Sequence, residues 1–246
     1  MDAAPLALLG VVVGVLIWRA VARERRDYAR FKRMRSTVAR QKVYRRWVIE
    51  AMLSLGGLSL ATIAGAWTSV PRVLAAAQEW PPIAAVRSFL GEPYGLPVAI
   101  AVAVVLLVGL VLPVVLIRDS IDEAPAVGDI RALLPRTRGE LRYGAALSLS
   151  AGVFEELLFR LGLPALIFAV TGDALAAFLG ATVLFGVLHV YQGPLGILFS
   201  AILGAVFVLL YLVTGSIVVP IVLHALVDLR SMVLIPVVLG KAWTKP

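Results

Sequence analysis

Two histidines occur in the 246-residue chain, and both lie in apolar stretches, His224 with an acid beside it. His189 ends the run Ala-Thr-Val-Leu-Phe-Gly-Val-Leu-His, while His224 and Asp228 stand four residues apart in the last apolar segment. Upstream, Glu155-Glu156-Leu-Leu-Phe-Arg160 interrupts another long apolar stretch. An ionisable side chain at bilayer depth is costly unless it is paired, so such residues mark a working site by default. Carboxylates and imidazoles together suit general acid–base chemistry on a trapped water. Glu156 and Arg160 have the i,i+4 spacing of an intrahelical ion pair, which by itself reads as a helix-locking contact. Adjacent glutamates project about 100° apart on a helix, so Glu155 is left to face a polar cavity. His224 and Asp228 share one helix face, and Phe185 and His189 repeat that spacing, with an aromatic ring one turn below an imidazole. Two histidines, a Glu pair and an Asp on three helices point to one shared site.

These side chains need helices to hold them, and the composition supplies little else. Hydrophobic residues make up 61% of the chain, charged residues 15%, and mean hydropathy is +0.95. A soluble domain is about 45–50% apolar and about 25% charged, so the class is an all-α, polytopic integral membrane protein. With no cysteine, thiolate catalysis, disulfides and Cys-ligated metals are excluded. The net charge of +8 is local: the segment from Arg19 to Trp47 carries 12 Lys/Arg against Glu24 and Asp27. Such a juxtamembrane block reads as a topology determinant at an anionic leaflet. No aromatic platform or nucleic-acid motif accompanies it, so a nucleic-acid partner is not expected.

Apolar spans read as 4–18, 47–67, 96–117, 144–171, 174–191, 195–214 and 217–239, about seven to eight crossings in all. Trp18, Trp47 and Trp67 fall at span ends, as interfacial tryptophans do. The connection over 118–142 carries Arg118, Arg131, Arg136, Arg138 and Arg142, whereas 69–95 has only Arg72 and Arg87. An outside N-terminus then puts the arginine-rich connection, Lys241 and Lys245 in the cytoplasm. Tyr28, Phe31, Met34 and Val38 recur at helical spacing, so the basic block reads either as an interfacial amphipathic helix or as a solvated loop. The stretch 144–171 is too long for one straight helix across a roughly 30 Å core, and Gly162 with Pro164 suggests a kink or break. Arg230 lies deep in the last span with no partner on its own helix face. One compact membrane domain results, with an N-terminal region over 1–142 and a catalytic core over 143–246.

Glu155-Glu156-x-x-x-Arg160, Phe185-x-x-x-His189 and His224-x-x-x-Asp228 resemble, in order and separation, the three motifs of the CPBP intramembrane proteases. That family includes type II CAAX prenyl endopeptidases and bacterial proteins linked to bacteriocin processing and self-immunity. The resemblance covers about residues 143–239. It implies that Glu155 is the general base that activates water, that His189 helps hold this water, and that His224 and Asp228 line the oxyanion side. Glu156, Arg160 and Phe185 would support them. CAAX-type members often carry Asn where this chain has Asp228. An ionised Asp cannot donate to an oxyanion, so Asp228 is protonated, or orients His224, or this branch works differently.

The implied reaction is hydrolysis of a peptide bond in a CAAX-type or related membrane-associated peptide or protein, in a multi-pass cell membrane, with a bacterial inner membrane as the expected setting. The glutamate mechanism needs no cofactor. The alternative is a zinc ion held by His189, His224 and Glu155 with an open position, although no His-Glu-x-x-His helix is present. Two other functions compete: a non-catalytic scaffold or bacteriocin self-immunity factor, and a proton-coupled transporter using the acids and histidines as a relay.

Overall fold

A computed structural model describes residues 3–116 and 128–244, and the chain is all-α and polytopic. Arg118 and Lys245, two of the residues that bear on topology, lie outside the described residues. Among the described residues, five helical stretches are long and apolar enough to cross a bilayer: Ala3–Phe31, Thr37–Gly65, Gly95–Leu116, Ala174–Thr214 and Val218–Val238. The fourth of these reverses at the 3-10 turn His189–Gln192, giving two helices, Ala174–Leu188 and Gly193–Thr214. A further helix, over 138–171, carries too many charges for that criterion. In chain order the helices are α1 (Ala3–Phe31), α2 (Thr37–Gly65), α3 (Ser69–Gln78), α4 (Pro81–Gly91), α5 (Gly95–Leu116), α6 (138–171), α7 (Ala174–Leu188), α8 (Gly193–Thr214) and α9 (Val218–Val238).

The basic block is neither a helix lying alone at the interface nor a loop. It is the tip of the α1–α2 hairpin, because helical backbone continues to Phe31 and resumes at Thr37 behind a Ser36 cap. Tyr28 and Phe31 keep the expected spacing and pack with Tyr44 and Met232. Val38, across the turn, is exposed. Nor is every cation here a solvated topology signal. Arg40 is fully buried and pairs through Nε with both oxygens of Glu140, at 3.1 Å each. Its Nη1 and Nη2 donate to the Ala132 and Leu134 carbonyls. One arginine thereby ties the hairpin to the start of α6.

Contacts fix which helix ends lie together. The Tyr28 hydroxyl donates to the Asp129 carbonyl, the Asp129 N–H donates to Gln192 O at 2.9 Å, and the Tyr28 and Tyr191 rings meet at 5.4 Å. The start of α6, the α7–α8 turn and the C-terminal part of α9 therefore gather at the basic hairpin. At the opposite end, the 69–95 connection is folded as α3 and α4. There Gln78 Nε2 donates to Leu212 O (2.8 Å) and Arg87 Nη1 to Val213 O (2.9 Å), satisfying carbonyls that the end of α8 leaves without helical partners. Gly172 (φ +71°) and Gly215 (φ +70°) end α6 and α8 in the left-handed conformation that glycine adopts without a Cβ penalty.

The helix over 138–171 does not break at Gly162 and Pro164. It widens instead into a π-helical turn over Leu157–Gly162, in which the Leu163 N–H bonds Leu158 O, five residues back. Pro164 has no N–H to give, and a π turn is one way a helix absorbs that loss without stopping. The turn carries Arg160 and follows the two glutamates, so the irregularity sits at the site.

Candidate active site

Glu155 and Glu156 end the regular part of α6 and diverge as adjacent helical residues must. Glu156 points into the bundle and is fully buried. Its Oε1 lies 2.9 Å from Arg160 Nη1 on the next turn and 2.6 Å from His224 Nδ1 on α9. The pair is therefore more than a helix lock: Glu156 also fixes the imidazole of His224. Because a carboxylate oxygen accepts, Nδ1 carries the proton and Nε2 is turned toward Glu155 and Asp228. His224 Nε2 stands 3.9 Å from Glu155 Oε2 and 3.8 Å from Asp228 Oδ2. Both gaps exceed a direct hydrogen bond. The residue that orients His224 is thus Glu156 and not Asp228.

Arg160 would be an expensive buried cation without this setting. It is held by Glu156, by the Gly204 carbonyl (Nη2–O 3.2 Å), and by two ring faces, with its guanidinium carbon 4.7 Å from the Phe185 centroid and 5.4 Å from that of Phe207. Phe207 also stacks on His224, with centroids 5.1 Å apart and planes 24° off parallel. No motif spacing points to Phe207, whose place depends on the α8–α9 pairing.

His189 sits at the C-terminal end of α7, where helical bonding gives way to the 3-10 turn. Its Nδ1 lies 2.8 Å from the Phe185 carbonyl. A carbonyl can only accept, so Nδ1 is the donor and Nε2 presents a lone pair. The i,i+4 spacing thus places the imidazole on its own helix's carbonyl as well as beside the Phe185 ring, 4.8 Å away. Tyr191, stacked on His189 at 6.0 Å, is a further lining residue that the sequence does not single out.

Glu155, His189, His224 and Asp228 line one cavity of about 310 Å³, shared with Tyr191, Ser148, Ser200 and Arg230. Glu155 and Tyr191 also line two smaller spaces that lead beneath Arg19 and Glu24 of α1. Glu155 accepts no hydrogen bond from the described residues and keeps 21% of its side chain exposed, against 0% for Glu156. Of the two glutamates, it is the one left open to the cavity. A zinc ion would need three donors aimed at one point. Among the described residues, no group of three His, Cys, Asp or Glu side chains is placed to hold a metal ion as it stands.

The Glu156–His224 contact requires close approach of α6 and α9, and Gly152 permits it. A Cβ there would stand 2.9 Å from both the Cβ and the backbone nitrogen of Ala225. Gly152→Ala is expected to lower stability by about 1–3 kcal/mol, the usual cost of overpacking. Gly57→Ala, where a Cβ meets nothing within 4 Å, should leave stability the same or slightly higher. Thermal unfolding of the two variants in one detergent checks this, and equal melting temperatures would refute the role given to Gly152.

Residues 138–230 match the family model of type II CAAX prenyl endopeptidases, Rce1-like. No curated protein and no solved structure matches the chain. The matched stretch begins at the first residue of α6, ends in α9, and contains the Glu pair, Arg160, both histidines and Asp228. Over these residues the protein is similar to the Rce1-like type II CAAX prenyl endopeptidases.

Proposed function

We propose that the protein is a glutamate-dependent intramembrane endopeptidase that cleaves a CAAX-type or related membrane-associated peptide. The observation that carries this reading is the division of labour between the two glutamates. Glu156 is buried and engaged by Arg160 and His224, whereas Glu155 faces the cavity and accepts no hydrogen bond from the described residues. A water between Glu155 and His189 Nε2 would give one proton to the Glu155 carboxylate as its oxygen attacks the scissile carbonyl carbon. The other O–H donates to the lone pair of His189. As the tetrahedral intermediate collapses, the C–N bond breaks and Glu155 returns its proton to the leaving nitrogen. His224, in its doubly protonated form, keeps Nδ1–H on Glu156 and offers Nε2–H to the oxyanion. Asp228, 3.8 Å from that nitrogen, compensates the imidazolium charge. The reaction calls for no metal.

Exposed basic residues on the α1–α2 tip, among them Arg25, Arg26, Arg30 and Arg33, would seat this end of the bundle on an anionic leaflet. A bacterial inner membrane is the setting we favour. The test is a proteomic comparison of membranes bearing the wild-type chain or Glu155→Gln. Shortened C-termini and released short peptides should appear only with the wild type. Identical termini in both samples would end the protease reading in favour of a non-catalytic role.

A further inference from the structure

Arg230 lies in the second half of α9, within a candidate membrane span, and the mechanism above gives it no task. Its Nε donates to the Leu110 carbonyl of α5 at 2.6 Å. Leu110 stands one turn before Pro113, the proline inside α5, where the missing N–H and the ring loosen the helical ladder. That bond holds the guanidinium in place. Its two Nη groups have no hydrogen-bond or ion-pair partner among the described residues, and the side chain is half-buried against the 310 Å³ cavity that holds Glu155, His224 and Asp228. A cation in a membrane span without a counter-charge is costly. An anion supplied by a ligand is what this arrangement lacks.

We propose that Arg230 docks the free α-carboxylate at the substrate's C-terminus, a specificity role that deepens, and for its chemistry rests on, the protease reading. Three points support it. Among the described residues, Arg230 is the only Lys or Arg that lines this cavity, where Glu155 and Asp228 would otherwise repel a peptide's terminal anion. With Nε committed to Leu110, the two Nη groups still form the end-on fork that matches a carboxylate. The spacing also fits. Six residues separate His224 from Arg230 in sequence, a rise of about 9 Å along a helix, and three extended peptide residues span about 10 Å. A carboxylate on Arg230 would thus place a peptide bond about three residues upstream beside His224. Internal segments of a membrane protein present no such anion, so Arg230 would restrict the enzyme to chain ends.

The experiment uses the full-length protein in detergent and one S-farnesylated peptide ending Cys-Ala-Ala-Leu, made as free acid and as C-terminal amide. Binding is read on the Glu155→Gln background and turnover on the wild type. The acid should bind about 10- to 100-fold more tightly than the amide, the worth of a charge-assisted pair. Arg230→Gln should bring that ratio close to one, and Arg230→Lys should restore part of it. If Arg230 only braces Leu110, the variants would weaken acid and amide alike and leave the ratio unchanged, which overturns the proposal. Equal binding of acid and amide by the unsubstituted protein overturns it without recourse to any Arg230 variant. An Arg230-dependent acid preference with no wild-type turnover would uphold the docking site and reject the protease. Turnover of both peptides at one rate would do the reverse.

Discussion

Glu155→Gln is expected to lower the catalytic constant by about 10²–10⁴-fold, the contribution of a positioned general base, with a melting temperature close to that of the wild type. The two halves of this expectation have separate structural grounds. His224 Nε2 stands 3.9 Å from Glu155 Oε2, and Glu155 accepts no hydrogen bond from the described residues. An isosteric amide therefore leaves no buried donor unsatisfied and creates no void, and partly exposed substitutions of this kind usually stay within about ±0.5 kcal/mol. What is lost is an atom able to take a proton from water. Single-turnover cleavage of a fluorogenic peptide by purified protein checks the rate, and thermal unfolding checks the fold. Glu155→Asp shortens the side chain by one methylene and should retain part of the rate. Full activity in Glu155→Gln would remove the proposed base.

The same two glutamates mark how far sequence alone reaches. The i,i+4 rule places Arg160 beside Glu156, His224 beside Asp228 and Phe185 beside His189, and each is local geometry that any helix enforces. Convergence of the three helices follows from the cost of burying these groups singly. The partner of His224 Nδ1 is different, because it depends on the register between α6 and α9. A glycine sets that approach at Gly152, and no periodicity announces it. Phe207, Tyr191 and the Leu110 carbonyl are equally non-local, each delivered by a helix whose own pattern is uniformly apolar. The basic hairpin shows a further limit. Spacing finds Tyr28 and Phe31 on one face, but the Ser36 cap and the change of direction before Thr37 put Val38 elsewhere. Charge counting likewise cannot tell Arg40, buried against Glu140, from the exposed arginines around it. The π turn escapes for a related reason: Pro164 requires a disruption, but only packing decides between a break and a wider turn.

Glu156→Ala is expected to destabilise the protein by about 3–5 kcal/mol, the cost of stranding one member of a buried ion pair. Arg160 would keep its charge between Phe185 and Phe207 with only the Gly204 carbonyl to meet it. Among the described residues, His224 would lose the one acceptor within hydrogen-bonding distance of Nδ1. Glu156→Gln should fall between, since its amide oxygen can still accept from His224 Nδ1 while the charge opposite Arg160 is gone. The two duties can be separated by adding a second substitution. Replacing a buried ion pair by apolar groups of similar volume is often neutral or stabilising, so Glu156→Ala with Arg160→Met should recover much of the lost stability. It should recover no turnover, because His224 stays unanchored and its Nε2 is no longer directed at the gap between Glu155 and Asp228. Melting temperatures and peptide turnover across the four proteins of this cycle give the coupling energy directly. Stability and activity that return together in the double variant would mean that Glu156 serves only to neutralise Arg160, and that something other than this carboxylate sets the imidazole.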